Sequence, residues 1–298
     1  MLKRFRLEEP QSVNEVSELL ARHGESARIY AGGTELLLAM KEGLVHYERL
    51  VNVKRIAGLE RIAEEDGAIH IGPLATHRML VSSPVMQERL PGFVAMERNV
   101  ANVRVREVGT IGGNLCFAEP HADPGTLLLA LDATVAAEKR SSRREIPLRD
   151  FFIDAYETCL EADEMLTDIR VPLPPAGSGF SYLKFGHLER PSVGLAVLLV
   201  LDPGRKSIAE ARIAVGCVGP KPQRVDDAEA LLRRKAIDEA QQLIAGAGDI
   251  AARSSQAISD LHGSQDYKEH IVRVLLKRAF QQAYERCLSG KGEGAHGR

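Results

Sequence analysis

Apolar and polar positions follow two periods along the first third of the chain, and the switches between them mark out elements. From Pro10 to His23, Val13, Val16, Leu19 and Leu20 recur at the three-to-four spacing that gives a helix one apolar face. Arg28 to Ala31 reads as a short strand running into Gly32-Gly33, after which Thr34 is placed to cap a helix through Met40. Glu48 to Val53 reads as another strand. After Gly58 the pattern restarts with a strand over Ala68 to Ile71, the turn Gly72-Pro73 and a helix from Thr76. A helical stretch then runs to about Val103, punctuated by Ser83-Pro84 and Pro91-Gly92. Beyond a second Gly-Gly pair, Thr126 to Leu131 reads as helix, and Thr134 to Ala137 and Met165 to Val171 read as strands.

Pro172, Pro174, Pro175, Gly177 and Gly179 make the best linker, which places a domain boundary near 176. The part before it, 1–176, reads as two α/β subdomains meeting near 58. The part after it, 177–290, opens with strands over Tyr182 to Phe185, Val193 to Leu201 and Ala211 to Val218. Helices follow, and the last sets Val272, Leu275, Leu276, Ala279, Ala283 and Cys287 on one face. Residues 291–298 are expected to form a disordered tail.

Composition narrows the function classes. A chain of 298 residues with 39 Lys+Arg against 41 Asp+Glu has no charge excess to attract nucleic acid or an anionic membrane. The longest apolar run, Val193 to Leu201, is too short to span a bilayer. The N-terminal stretch lacks the apolar core of a signal peptide, and the four cysteines, at 116, 159, 217 and 287, form no CxxC pair. A soluble, cytoplasmic protein with reduced thiols is expected.

The two Gly-Gly pairs lie in AGGTELLLAMK (31–41) and TIGGNLCFAEPHADP (110–124). Without a Cβ, such turns bring backbone N–H groups close to a ligand and form anion-binding nests. Two nests, flanked by Thr34, Thr110 and Asn114, suit a diphosphate, one phosphate each. Neither matches the GxxxxGK[ST] loop, which argues against a nucleotide hydrolase. Gly246-Ala247-Gly248-Asp249-Ile250-Ala251 has the spacing of a dinucleotide fingerprint. A helix pattern rather than a strand precedes it, so a helix–helix junction is expected there.

At these loops the sequence resembles a known family, the FAD-binding medium subunit of molybdenum hydroxylases, which includes xanthine dehydrogenases and aerobic carbon monoxide dehydrogenases. GPLATHRMLVSSPVM (72–86), EMLTDIRVPLPP (164–175), SYLKFGHLERPSVG (181–194) and SDLHGSQDYKEHIV (259–272) resemble further family segments, the last with Lys268 where Arg is usual. The resemblance runs from Phe5 to about Leu288. It implies an α+β chain: a bipartite FAD-binding domain of the vanillyl-alcohol-oxidase (PCMH) type, then a smaller three-stranded α+β C-terminal domain. It implies non-covalent FAD, with Ala31, Gly32, Gly33, Thr34, Glu35 and Leu36 as the first diphosphate loop and Thr110, Ile111, Gly112, Gly113 and Asn114 as the second. Glu35 matches the xanthine dehydrogenase form of its loop. Asp123 matches an acidic position contacting FAD, Ile169 a strand residue abutting the flavin, and Lys184 a lysine near the isoalloxazine.

The implied role is an oxidoreductase subunit relaying electrons from partner [2Fe–2S] clusters through FAD to an acceptor such as NAD⁺. A large molybdopterin subunit and a small iron–sulfur subunit are the implied partners, and they carry the other cofactors. The cysteine-rich insertion that holds an extra cluster in one branch is absent, and Arg106-Glu107-Val108 stands where relatives often show Arg-Asn-x. The alternative is a self-contained FAD-dependent oxidase or reductase of the same superfamily. Its mark is a His or Cys tethering the flavin, and Cys116 is the one nearby candidate.

Several chemical residues also have plainer readings. Glu119, His121 and Asp123 suggest an acid–base or metal cluster, but the interleaved prolines favour a loop with one carboxylate on the cofactor. His70 and His77 read as structural, and Cys116 as a small apolar filler. Lys139 to Arg144 reads as a solvated hairpin tip. Gly33→Ala and Gly113→Ala are expected to abolish FAD retention, through Cβ crowding and a penalty on positive φ.

Overall fold

The computed structural model describes residues 2–140, 142–186 and 190–289, so the expected tail at 291–298 lies outside the described residues. Three main sheets follow one another along the chain. The first is parallel, with Arg49–Asn52 between Arg6–Glu8 and Ala27–Tyr30. Helix Val13–His23, capped by Ser12, buries Val16 and Leu20 in the core beside Val51 and Val53.

The second sheet is antiparallel, in the order Ile62–Glu65, Ala68–Ile71, Met165–Pro172, Thr134–Lys139, Ser142–Pro147. Met165–Pro172 therefore returns from far along the chain to sit at its centre, beside Ala68–Ile71 and Thr134–Lys139. Its apolar face packs on the helices His77–Ser82, Pro84–Arg89, Pro91–Glu97, Ile111–Phe117 and Asp123–Ala130, with Phe93, Leu115 and Leu127 in the shared core.

The third sheet holds the three long strands expected, Ser178–Phe185, Val193–Leu201 and Ile208–Gly216, plus the two-residue strand Gln223–Arg224. Val193–Leu201 is apolar without alternation because both of its faces are covered. Val193, Leu195, Val197 and Leu199 face helices Ile237–Ser254 and Gln265–Ser289, whereas Ala196 and Leu198 join the core of the preceding sheet. The last helix buries Val272, Leu275, Leu276, Ala279, Ala283 and Cys287, the expected face.

One local expectation changes and another is sharpened. The G-x-G-x-x-A segment is no junction. It lies inside the continuous helix Ile237–Ser254, where Gly248 packs near the Arg273 backbone of the next helix. In the basic run, Lys139 pairs with Ser142 across a hairpin, Arg140 has positive φ, and Arg140, Arg143 and Arg144 are exposed, as expected of a solvated hairpin tip, while Arg144 also pairs with the buried Glu164 at 2.7 Å. No helix of the described residues is long and apolar enough to cross a membrane.

Candidate cofactor site

A cavity of about 400 Å³ opens between the first two sheets, inside the usual range for small-molecule sites. Both glycine segments line it. Ala31, Gly32, Gly33, Thr34, Glu35 and Leu36 form one wall, and Thr110, Gly112, Gly113 and Asn114 another. The two expected diphosphate loops, far apart in sequence, are thus brought to one space.

Their backbones differ. The first is an open turn. Gly33 has φ of +74°, and among the described residues the N–H groups of Gly33, Thr34 and Glu35 donate to no backbone carbonyl. Thr34 does not cap the helix that follows; Leu36–Glu42 is preceded by Glu35 in helical conformation with no side-chain cap. Gly32 is needed for another reason, since a Cβ there would stand 2.2 Å from the Val108 carbonyl oxygen and 2.8 Å from Gly109 Cα. Its bare α-carbon lets the first loop lie against the segment that leads into the second.

The second segment is not a nest. Gly112-Gly113 opens the helix Ile111–Phe117, whose N-cap Thr110 accepts from Gly113 N through Oγ1 at 3.1 Å. Gly112 N donates to Pro73 O and Ile111 N to Ala75 O, so these donors are already used. A Cβ on Gly112 would meet the Pro73 Cβ at 2.4 Å and its carbonyl oxygen at 2.7 Å. Gly113 has ordinary helical φ, so the positive-φ argument applies to Gly33 and fails at Gly113. The unspent polar atom on this side is Asn114 Oδ1, buried without a partner. A buried acceptor with no partner is costly unless a ligand or water completes it. Free N–H groups on one wall, an orphaned amide oxygen on the other and glycine surfaces between them fit a slender, phosphate-bearing group such as FAD.

The other expected residues stand behind this surface. Ile111 and Ile169 are fully buried in the core. Asp123 and Lys184 meet each other: Lys184 Nζ donates to Asp123 Oδ2 at 2.8 Å and to Asn99 O at 2.7 Å, and Tyr182 donates to Asp123 Oδ1 at 2.6 Å. Burial pushes the Asp123 carboxyl up, against the pull of Lys184 and Tyr182.

His77 lines the cavity, and its Nδ1 lies 2.7 Å from Glu97 Oε2 in a fully buried pair. Burial lowers its pKa, but the Glu97 charge and hydrogen bond outweigh that and raise it overall. Cys116 also lines the cavity, with its thiol pushed up to about 12 by burial, as suits the expected apolar filler.

Across the opening, Arg190 pairs with Glu35 at 3.2 Å and Glu119 at 3.4 Å, and Glu119 accepts from Tyr156 at 2.9 Å. Burial raises the Glu35 carboxyl despite Arg190. His121 instead bridges Pro191 O and Asp260, which also holds the buried Lys268. Among the described residues no cluster of His, Cys, Asp and Glu is arranged to hold a metal. The sequence reading gave no cavity role to the 156–166 segment, which lines the cavity through Tyr156, Leu160 and Leu166. It also assigned no role to Arg28.

The comparisons agree with this geometry. Residues 3–174 match the family model of the FAD binding domain in molybdopterin dehydrogenase, and residues 180–283 that of the CO dehydrogenase flavoprotein C-terminal domain. The carbon monoxide dehydrogenase medium chain of Hydrogenophaga pseudoflava is 32% identical over 95% of this chain and 98% of its own. The nicotine 6-hydroxylase medium subunit of Paenarthrobacter nicotinovorans is 34% identical over 95% and 98%. The solved carbon monoxide dehydrogenase from Hydrogenophaga pseudoflava superposes with a TM-score of 0.92 at 35% identity, covering 96% of this chain and 99% of that one. Quinoline 2-oxidoreductase from Pseudomonas putida 86 gives 0.89 at 28% identity, over 97% and 99%. With both halves matched in order and the glycine segments facing one cavity, the chain belongs to the FAD-binding medium subunits of the molybdenum hydroxylase family.

Proposed function

We propose that this subunit relays electrons from [2Fe–2S] clusters on a small partner through FAD to NAD⁺, and that a large molybdopterin subunit oxidises the substrate. The observation that carries the reading is the single cavity lined by both glycine segments, with polar groups left over for a ligand. FAD supplies the two-electron and one-electron chemistry once bound. The chain supplies placement: N–H groups of Gly33, Thr34 and Glu35 toward a phosphate, and the Asn114 amide from the facing helix. Asp123, Lys184, Ile111 and Ile169 act from behind the wall by fixing the backbone that forms it.

The relatives are named for carbon monoxide, nicotine and quinoline, yet this chain aligns with each over nearly its whole length. That supports substrate choice on another subunit. A division near 176 is supported by the gap between the two family matches and by the end of the central strand at Pro172.

The test uses purified full-length chain. Acid precipitation should release FAD at about one per chain, and NAD⁺ should reoxidise the reduced flavin faster than air does. A colourless protein that takes up no FAD refutes the reading. Reduced flavin that ignores NAD⁺ refutes that acceptor.

A further inference from the structure

The ionisable groups around the cavity are nearly all matched. Glu35 meets Arg190, Glu161 meets Lys139, Glu164 meets Arg144, and His77 meets Glu97. Glu157 is exposed. Arg28 is the exception among the cations: it lines the cavity, and among the described residues no carboxylate lies within ion-pair distance of it. It stands on strand Ala27–Tyr30, just before the first glycine turn. Its charge also reaches the half-buried Cys116 of helix Ile111–Phe117, opposing the rise of that thiol. Arg28 therefore lines the same cavity as both glycine segments.

We propose that Arg28 is the counter-charge of the cofactor's diphosphate and makes the site select a dinucleotide flavin over riboflavin. The proposal rests on the FAD reading above and assigns a residue outside both loops. The second segment has spent its donors on Pro73, Ala75 and Thr110, so the backbone offers open N–H groups on one side only. A diphosphate needs a second source of donors. A planar guanidinium supplies several in one fork and matches a phosphate's paired oxygens, which an ammonium does not. In a ligand made of a diphosphate between two uncharged rings, the diphosphate is the part a lone cation recognises.

The experiment measures affinities of FAD, ADP and riboflavin for flavin-stripped full-length protein, by fluorescence quenching or calorimetry. It compares wild type with Arg28→Gln and Arg28→Lys. Arg28 is exposed, pairs with Leu50 through its backbone and, among the described residues, makes no side-chain hydrogen bond or ion pair, so both variants are expected to melt as wild type does. Arg28→Gln should weaken FAD and ADP by about tenfold or more and leave riboflavin unchanged, the size of a lost charge-assisted hydrogen bond. Arg28→Lys should fall between. Wild-type affinity for FAD should drop with added salt more steeply than that of Arg28→Gln. An FAD affinity within twofold of wild type in Arg28→Gln, or equal losses for FAD and riboflavin, would overturn the proposal. A wild type that binds ADP but no flavin would overturn the FAD reading and with it the selectivity assigned to Arg28.

Discussion

Gly32 and Gly113 look interchangeable in the sequence, each half of a Gly-Gly pair with a threonine one or two residues away, yet a methyl group meets different obstacles at each. At Gly32 the nearest atoms are the backbone of Val108 and Gly109, which cannot turn aside. At Gly113 the one near atom is Thr110 Oγ1 at 2.8 Å, the end of a side chain that can rotate. Gly32→Ala should therefore separate the two segments and yield colourless protein. Gly113→Ala should keep the fold and lose at most the Thr110 cap, about 1 kcal/mol. Absorbance at the flavin band together with melting temperature decides it, and equal behaviour of the two variants would count against this account. The positions of the glycines were legible in the sequence. Which neighbour each one makes room for was not, because Val108 and Pro73 reach them through tertiary packing. Arg28 was equally plain in the sequence, but only the structure shows that no carboxylate among the described residues meets it.

Elements were legible where one period ran long enough. Val193–Leu201 came out with its bounds because its apolar run is unbroken except for one glycine, and the final helix with its correct face because it buries a regular stripe. Helix Ile111–Phe117 was read as a loop, since two glycines oppose helix formation locally, by about 1 kcal/mol each. Packing against Pro73 and the Thr110 cap override that preference. Ile62–Glu65 gave no signal, being a short edge strand with two exposed glutamates. The buried His77–Glu97 pair, which ties helix His77–Ser82 to helix Pro91–Glu97, was also beyond sequence reasoning, because the two residues are twenty positions apart. It has a consequence for pH. The folded His77 holds its proton more tightly than the unfolded one, with Glu97 and Asp123 favouring the charge and burial and Arg106 opposing it. The native state therefore binds more protons than the unfolded state above the unfolded pKa of about 6.5. This stabilisation is complete below that value and fades as pH rises through the higher folded pKa. Melting temperature should fall from pH 6 to pH 8 in wild type and fall less in Glu97→Gln. Parallel pH slopes in the two proteins would dismiss the pair as the cause.

At the scale of the molecule, the FAD-binding half and the C-terminal half share a core and also a buried charge. Ala196 and Leu198 carry apolar surface across, while Lys184 on strand Ser178–Phe185 reaches Asp123 at the start of helix Asp123–Ala130. That helix packs behind the second glycine segment, so the joint between halves and the wall of the cavity are one structure. Asp123 is 3% exposed, and removing its partner strands a charge in the interior. Lys184→Met should cost about 3 kcal/mol, within the range for breaking a buried pair. The double variant Asp123→Asn/Lys184→Met removes both charges and keeps the Tyr182 hydroxyl bonded to the amide oxygen, so it should recover most of the loss. Denaturant midpoints of the three proteins order them: wild type and double variant close together, the single variant well below. If the double variant is no more stable than Lys184→Met, the lysine matters for its packing and not for its charge. The joint between the halves would then rest on its apolar contacts, Ala196, Leu198 and Ala214 among them, and on the pairing of Asp132 with Arg212 and Arg224.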